Sequence, residues 1–268
     1  MPKTSINGLS LYYEIKGDGE PLLLIPGFAA GRWIWFKQTA SLSRDFRVIT
    51  FDPRGVSASD KPEGAQPIRL LADDVNHLLQ AIGVESAHIV GASFGGFVAQ
   101  EFALKYPSMT RKLVLCCTSF GGPNHVLAAP ETLMAFASTK GINSEERMRA
   151  NLLLAFTPEY VRTQVAEVEQ ILQLRATNGV PEHIYLSQLD GAVNFNSESR
   201  IGEINSPTLV LSGDADVIVP VQNSRNLAAK IPGAKLRIIK GGSHTFFIEQ
   251  PEEFNQVVTE FLATDFHA

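Results

Sequence analysis

The stretch "HIVGASFGGFVAQEFA", residues 88–103, carries the reading of this chain. An apolar run stops at Gly91-Ala92-Ser93-Phe94-Gly95-Gly96, and a helical pattern follows at once. That succession describes a strand turning sharply into a helix. Small residues on either side let the two elements approach closely and let the turn take a backbone conformation that larger residues avoid. A tight glycine turn, however, has no need of a hydroxyl at its apex. Gly-x-Ser-x-Gly between a strand and a helix holds the serine oxygen outward, and the first N–H groups of the helix point to the same place. Five residues cannot separate the plain turn from the chemical one, so the decision rests on their surroundings.

Working outward, short apolar runs recur along the chain: "PLLLIPG" (21–27), "FRVITFD" (46–52), "AHIVGAS" (87–93), "RKLVLCCTS" (111–119), "SPTLVLSGD" (206–214) and "AKLRIIKGG" (234–242). Each holds several consecutive apolar residues without clean alternation, the pattern of parallel strands covered on both faces. Between them, "IRLLADDVNHLLQAIG" sets Ile68, Leu71, Val75, Leu78, Leu79 and Ile82 on one stripe and ends at Gly83. "VQNSRNLAAKIPGA" and "PEEFNQVVTEFLA" predict further helices, the second opening on Pro251. Strands alternating with helices predict an α/β fold with a mainly parallel sheet. "LSLYYEIKGDGEP" alternates and closes in a Gly-Asp-Gly turn, which predicts antiparallel structure at a sheet edge. From about 122 to 203 the rhythm breaks. "ETLMAFASTKG", "SEERMRANLLLAFTPEYVRTQVAEVEQILQLRAT" and "PEHIYLSQLDGAV" read as helices with no strand between them. This divides the chain into a core, 1–122 and 203–268, and an inserted helical cap, 123–202.

Composition narrows the partners. The 268 residues are 44% hydrophobic and 19% charged, a globular balance large enough to bury its own core. The net charge is −5 and no segment clusters basic residues, which argues against nucleic acid and anionic membranes as partners. No apolar stretch is long enough to span a bilayer, and "MPKTSINGLSLYYEI" has no signal-peptide core. The two cysteines, Cys116 and Cys117, are neighbours in an apolar run. Adjacent strand residues face opposite ways, so both are expected to be free, small core residues of a reducing, cytoplasmic protein.

A serine nucleophile needs a base, and the base needs an orienting acid. His244 lies in "IIKGGSHTFF", just past the last apolar run. "LSGDADVIVP" follows the preceding run and offers Asp214 and Asp216. Both segments are placed where strands of a parallel sheet end, the edge at which ligands bind. The chain order is Ser, Asp, His. Among the other histidines, His77 and His88 fall within a helix and a strand, while His125 and His183 fall in the helical insertion. The insertion also supplies Phe136, Leu152, Leu153, Leu154, Phe156 and Tyr160 as apolar residues.

With "LLLIPGF", "VITFDPRGVSASD", "HIVGASFGG", "LVLSGDADVIVP" and "GGSHTFF" in view, the chain resembles the α/β-hydrolase superfamily, in its branch of small capped serine esterases and lactonases. The likeness runs over residues 10–122 and 200–264. It implies an eight-stranded-type sheet flanked by helices, and a Ser93–His244–Asp216 triad with the acid in a Gly-x-x-Asp pattern that Gly213 and Asp216 fit. It also implies an oxyanion hole from the backbone N–H groups of Phe28 and Phe94. Asp214 is then a turn residue. The implied reaction is hydrolysis of a small to medium, largely apolar carboxylic ester or lactone, with no metal or organic cofactor and with a homodimer admitted as the assembly. Trp33, Trp35 and Phe246 adjoin the motifs, and with Phe156 of the cap they are expected to line the substrate pocket. Two departures stand out: Pro26 replaces the family's usual histidine, and Ser57 stands where a glycine is common, which suggests a differently shaped loop. Arg32 and Arg54 lie near the motif loops, but no basic residue declares itself as a carboxylate clamp. A hydrolase-fold signalling protein is the alternative, disfavoured because such proteins resemble Gly-His-Ser-Val-Ser at the elbow where this chain has Gly-Ala-Ser-Phe-Gly. Among enzymes, a carbon–carbon bond hydrolase or a cofactor-free perhydrolase also fits.

Overall fold

The computed structural model describes residues 2–137 and 144–264. Eight strands form one sheet: β1 (Lys3–Ile6), β2 (Leu9–Lys16), β3 (Glu20–Ile25), β4 (Phe46–Phe51), β5 (Ala87–Ala92), β6 (Thr110–Cys116), β7 (Thr208–Gly213) and β8 (Lys235–Ile239). Their spatial order is β1-β2-β4-β3-β5-β6-β7-β8. The pairs β1–β2 and β2–β4 are antiparallel and all others parallel. The edge hairpin turns through Asn7 and Gly8, both at positive φ (47° and 79°), as a two-residue hairpin loop requires.

The uninterrupted apolar runs follow from burial on both faces. Leu22, Leu24, Val48, Val90, Val114 and Cys116 enter one apolar cluster, while Leu23, Ile25, Ile49, Ile89, Leu113 and Leu115 enter the other. Helices α1 (Phe36–Leu42) and α11 (Pro251–Ala263) contribute to the first cluster. Helices α2 (Ile68–Ala81), α3 (Phe94–Lys105) and α9 (Gln222–Lys230) contribute to the second. Truncating one of these central leucines to alanine costs about 2–5 kcal/mol, through lost transfer energy and the cavity left behind.

Between β6 and β7 the described chain is helical: α4 (Pro130–Ala137), α5 (Ser144–Leu154), α6 (Pro158–Thr163), α7 (Val165–Thr177) and α8 (Glu182–Val193). Part of the expected helix "ETLMAFASTKG" and the side chain of Phe136 lie outside the described residues. The long helical reading after Ser144 divides at Thr157, whose Oγ1 accepts the Tyr160 N–H at 3.2 Å, with Pro158 in the first turn. A capping oxygen followed by a proline starts a new helix where the apolar pattern alone shows no break. Short α10 (Phe246–Glu249) precedes α11. Among the described residues no helix is long and apolar enough to cross a membrane.

Register decides where chemistry can gather. Ile25 pairs with Gly91, Ala92 with Cys116, Cys116 with Leu211, and Gly213 with Ile239. The segments starting at Pro26, Ser93, Cys117, Asp214 and Lys240 therefore leave one common edge. The chain winds from β3 to β4 in one direction and from β5 to β8 in the other, so the crevice of the doubly wound sheet opens between β3 and β5. The helical block is fastened to this edge. Ala155 O accepts both the N–H and the Oγ1–H of Thr245, at 3.0 and 2.7 Å. Thr157 N–H donates to Glu249 Oε1, Ala29 N–H to Gln188 Oε1, and Gln66 N–H to Ser187 Oγ.

Candidate active site

Ser93 sits between β5 and α3 at φ 54° and ψ −118°, a conformation costing about 1–3 kcal/mol for a residue with a side chain. Three bonds hold it there: Ser93 N–H donates to Cys116 O, and Ser93 O accepts from Gly96 N–H and Thr118 Oγ1, each at 2.8 Å. The flanking glycines are needed for close approach. A Cβ at Gly91 would lie 2.4 Å from Gly95 O, and one at Gly95 would lie 2.4 Å from both Ile25 O and Pro26 O. Ser93 keeps part of its surface open, and among the described residues its Oγ makes no hydrogen bond, so no Ser93–His244 bond is closed in this structure. Such bonds commonly tighten only when substrate is in place.

The loop after β3 lies against this serine, since a Cβ at Gly27 would stand 3.5 Å from Ser93 Cβ. Pro26 costs the loop nothing as a donor, because the next residues supply the N–H groups. Among the described residues Phe28 N–H has no acceptor, and Phe94 N–H, first in α3, has no intrahelical one. Their rings meet edge to face at 6.0 Å. One free N–H from the loop after β3 and one from a helix start, beside a serine, form a place that favours an anion.

His244 is buried, and its Nδ1 is 2.8 Å from Asp216 Oδ2. Asp216 is fixed in turn, because its Oδ1 accepts the N–H groups of Ile218 and Val219 at 2.8 and 2.9 Å. Asp214 is exposed and accepts the Gly241 N–H at 2.6 Å, closing the turn between the loops after β7 and β8. Of the two aspartates, the histidine ring meets Asp216. With its Nδ1 side engaged, the imidazole presents Nε2 as the atom able to take a proton. A carboxylate oxygen accepts, so the Nδ1–H of His244 is the donor to Asp216.

Several expected residues stand elsewhere. Trp35 and Phe246 are wholly enclosed, with Trp35 packed on Phe247 (5.0 Å) and Phe254, and Phe246 packed on the same two rings. Trp33 is buried in the same cluster, and Phe156 is buried and stacked on Tyr160 at 5.3 Å. These four rings build the core beneath the loops, where a motif's neighbours alternate between facing the site and facing inward. Arg32 is spent on Glu14 and Asp52, and Arg54 on Asp74. His125 bonds Ser119 Oγ, His77 bonds Asn7, and His88 bonds Glu20. His183 stands near Glu63.

Two local expectations change. Ser57 sits at φ 45°, so it keeps the left-handed turn that glycine would favour, and its hydroxyl donates to Asn178 O of the helical block at 3.3 Å. Cys116 and Cys117 fall into one apolar cluster rather than on opposite faces, because the strand ends at Cys116 and Cys117 turns to φ 41°. Both are free and fully buried. Burial pushes the Cys117 thiol well up, and the nearby Asp216 charge adds to it, so this sulfur stays protonated beneath the site. Tyr185 and Gln188 on α8 were not legible as site residues: Tyr185 packs edge to face on Phe28 at 4.8 Å, while Gln188 holds the next N–H along the loop. Among the described residues no cluster of histidine, cysteine and carboxylates is arranged to hold a metal.

Residues 20–251 match the family described as alpha/beta hydrolase fold. A protein assigned by name to carbamate hydrolysis, RutD of Azorhizobium caulinodans, is 28% identical over 261 residues, covering 97% of this chain and 98% of its own. A poly(3-hydroxyalkanoate) depolymerase of Ectopseudomonas oleovorans is 30% identical over 242 residues, covering 90% and 84%. Among solved structures, the enol-lactonase of Burkholderia xenovorans LB400 superposes with a TM-score of 0.86 at 26% identity, over 98% of this chain and all of the other. The strained serine turn, the switch-point crevice and these matches agree, and the chain belongs to the α/β-hydrolase fold family.

Proposed function

We propose that the protein hydrolyses a carboxylic ester or lactone through an acyl-serine intermediate on Ser93. The observation that carries this reading is the His244–Asp216 couple, held by two backbone N–H groups on the same sheet edge as a strained, partly open serine. Ser93 Oγ attacks the carbonyl carbon and its proton passes to His244 Nε2. The carbonyl oxygen becomes an oxyanion held by the N–H groups of Phe28 and Phe94, and each such donor is worth about 3–4 kcal/mol in a well-studied protease. The oxyanion collapses, the C–O bond breaks, and the leaving alkoxide takes the proton from His244. Water then repeats the sequence, losing its proton to His244 and releasing the acid as Ser93 recovers its hydrogen. Asp216 keeps the imidazole in the required tautomer and stabilises its protonated form. The helical block from α4 to α8 acts as the cap that closes over the crevice. Esterase and lactonase chemistry share these steps, and the enol-lactonase likeness favours neither beyond the other.

The test is covalent labelling with a fluorophosphonate, followed by peptide mapping, beside a Ser93→Ala variant. One label on Ser93 and none on the variant is the expected result. A label on Ser57 or Ser119 with Ser93 untouched overturns the assignment.

A further inference from the structure

We propose that Arg175 of the helical block binds a carboxylate of the substrate, so that the ester or lactone cleaved carries a second, anionic group away from its scissile carbonyl. The proposal rests on the serine-hydrolase reading above and extends it to substrate class.

Helix α7 turns Val168, Ile171 and Leu172 inward, and all three are buried. Residue 175 is the next on that stripe, seven, four and three positions on from them. Leucine or isoleucine would continue the packing, yet the chain places an arginine there. The other arginines that reach into the protein are paired: Arg54 with Asp74, Arg32 with Asp52 at 2.6 Å, and Arg200 with Glu101 at 2.8 Å. Among the described residues Arg175 has no carboxylate partner and no hydrogen bond, and the titratable group facing it is Tyr185. It is half-buried, and enough protein crowds the guanidinium for desolvation to bring its pKa down to about 10. The group remains cationic at neutral pH and is short of counter-charge.

Its neighbour gives the location. Tyr185 packs edge to face on Phe28, the residue whose free N–H lies beside Ser93. The end of α7 is tied over the loop after β4, through Ser57 Oγ and Asn178 O. An inward-facing, unpaired arginine beside the roof of the crevice is costly to the empty protein, because a poorly solvated cation is destabilising without a partner. A substrate carboxylate would supply the missing charge, and the planar guanidinium fork donates two parallel hydrogen bonds to that group. The same stripe was readable in "VAEVEQILQLRAT", but the lack of a partner was not.

The experiment compares two matched substrate pairs on the full chain. The first is mono-4-nitrophenyl glutarate and its methyl ester, with the charge on the acyl side. The second is 3-acetoxybenzoate and its methyl ester, with the charge on the leaving group. The native protein is expected to favour the charged member of one pair at least about tenfold in kcat/KM. Arg175→Leu should lower that preference roughly 10–100-fold, mainly through KM, the loss expected when a charge-assisted hydrogen bond is removed. Arg175→Lys should retain part of it and also guards against a leucine variant that fails to fold. No preference in either pair, or an equal loss on charged and neutral substrates, overturns the proposal. Ser93→Ala separates the two readings: if it still hydrolyses the neutral esters, the serine mechanism fails, whatever Arg175 does. Binding of glutarate to Ser93→Ala, measured by calorimetry and weakened by adding Arg175→Leu, reads the carboxylate site without turnover. Unchanged glutarate binding in the double variant also overturns it.

Discussion

Asp216→Asn is expected to abolish almost all activity, whereas Asp214→Asn should leave most of it. In the native site, Asp216 Oδ1 accepts two N–H groups and Oδ2 faces His244 Nδ1. An asparagine has one oxygen, and it must choose. With the oxygen toward Ile218 and Val219, the amide NH2 points at His244 and makes Nδ1 an acceptor. The proton then sits on Nε2, and the base is lost. The opposite orientation restores the tautomer but turns the amide NH2 toward two partly buried N–H groups and leaves them without an acceptor, at about 1 kcal/mol each. The useful orientation is thus disfavoured by about 2 kcal/mol, which leaves a few per cent of molecules with a working base. Loss of the negative charge beside the developing imidazolium lowers the rate further. The same substitution in a well-studied serine-protease triad costs about ten-thousand-fold in kcat, and a fall of roughly a thousand- to ten-thousand-fold is expected here. Asp214→Asn keeps an oxygen for Gly241 N–H and loses only part of one exposed hydrogen bond, about 1 kcal/mol of stability. Steady-state hydrolysis of 4-nitrophenyl butyrate by both variants, each shown folded by circular dichroism, decides the matter. The drop should appear in kcat with KM little changed. An inactive Asp214→Asn beside an active Asp216→Asn would refute the reasoning.

Two further perturbations test the scaffold. Gly95→Ala places a Cβ 2.4 Å from two backbone oxygens, Ile25 O and Pro26 O, which no side-chain rotation can relieve. It should cost about 3 kcal/mol or more, seen as a lower denaturation midpoint, and disturb the loop that carries Phe28; a variant of native stability would show that the approach is looser than described. Burial holds His88 below the ordinary histidine pKa, against the opposing pull of Glu20. Its contribution to stability is therefore complete above the unfolded value of about 6.5 and is lost as pH falls, when the unfolded chain takes up a proton that the folded one resists. His88→Gln should flatten the stability profile between about pH 6.5 and 5 relative to the parent, by at most about 1.4 kcal/mol per pH unit. Identical slopes in urea titrations of the two proteins would contradict this.

The parts of this protein that sequence alone determined are those encoded by local pattern. Six apolar runs matched β3 to β8, because strands covered on both faces must be apolar at every position, and Leu22 to Ile25 feed both clusters. The strand–serine–helix junction was legible because only small residues fit where Gly91 and Gly95 pass backbone oxygens. Direction in space was not legible. Asp214 and Asp216 are two residues apart in one turn, and the choice between them lies in which carboxylate the loop after β8 meets. Trp35 and Phe246 adjoin motif residues yet point into the core, and Ser57 carries a glycine's backbone because the surrounding contacts impose it. Arg175 shows the limit most clearly. Its place on the inward stripe of α7 follows from helical period, a local property, but its missing counter-charge is a property of everything packed around it, and only tertiary structure brings those groups together.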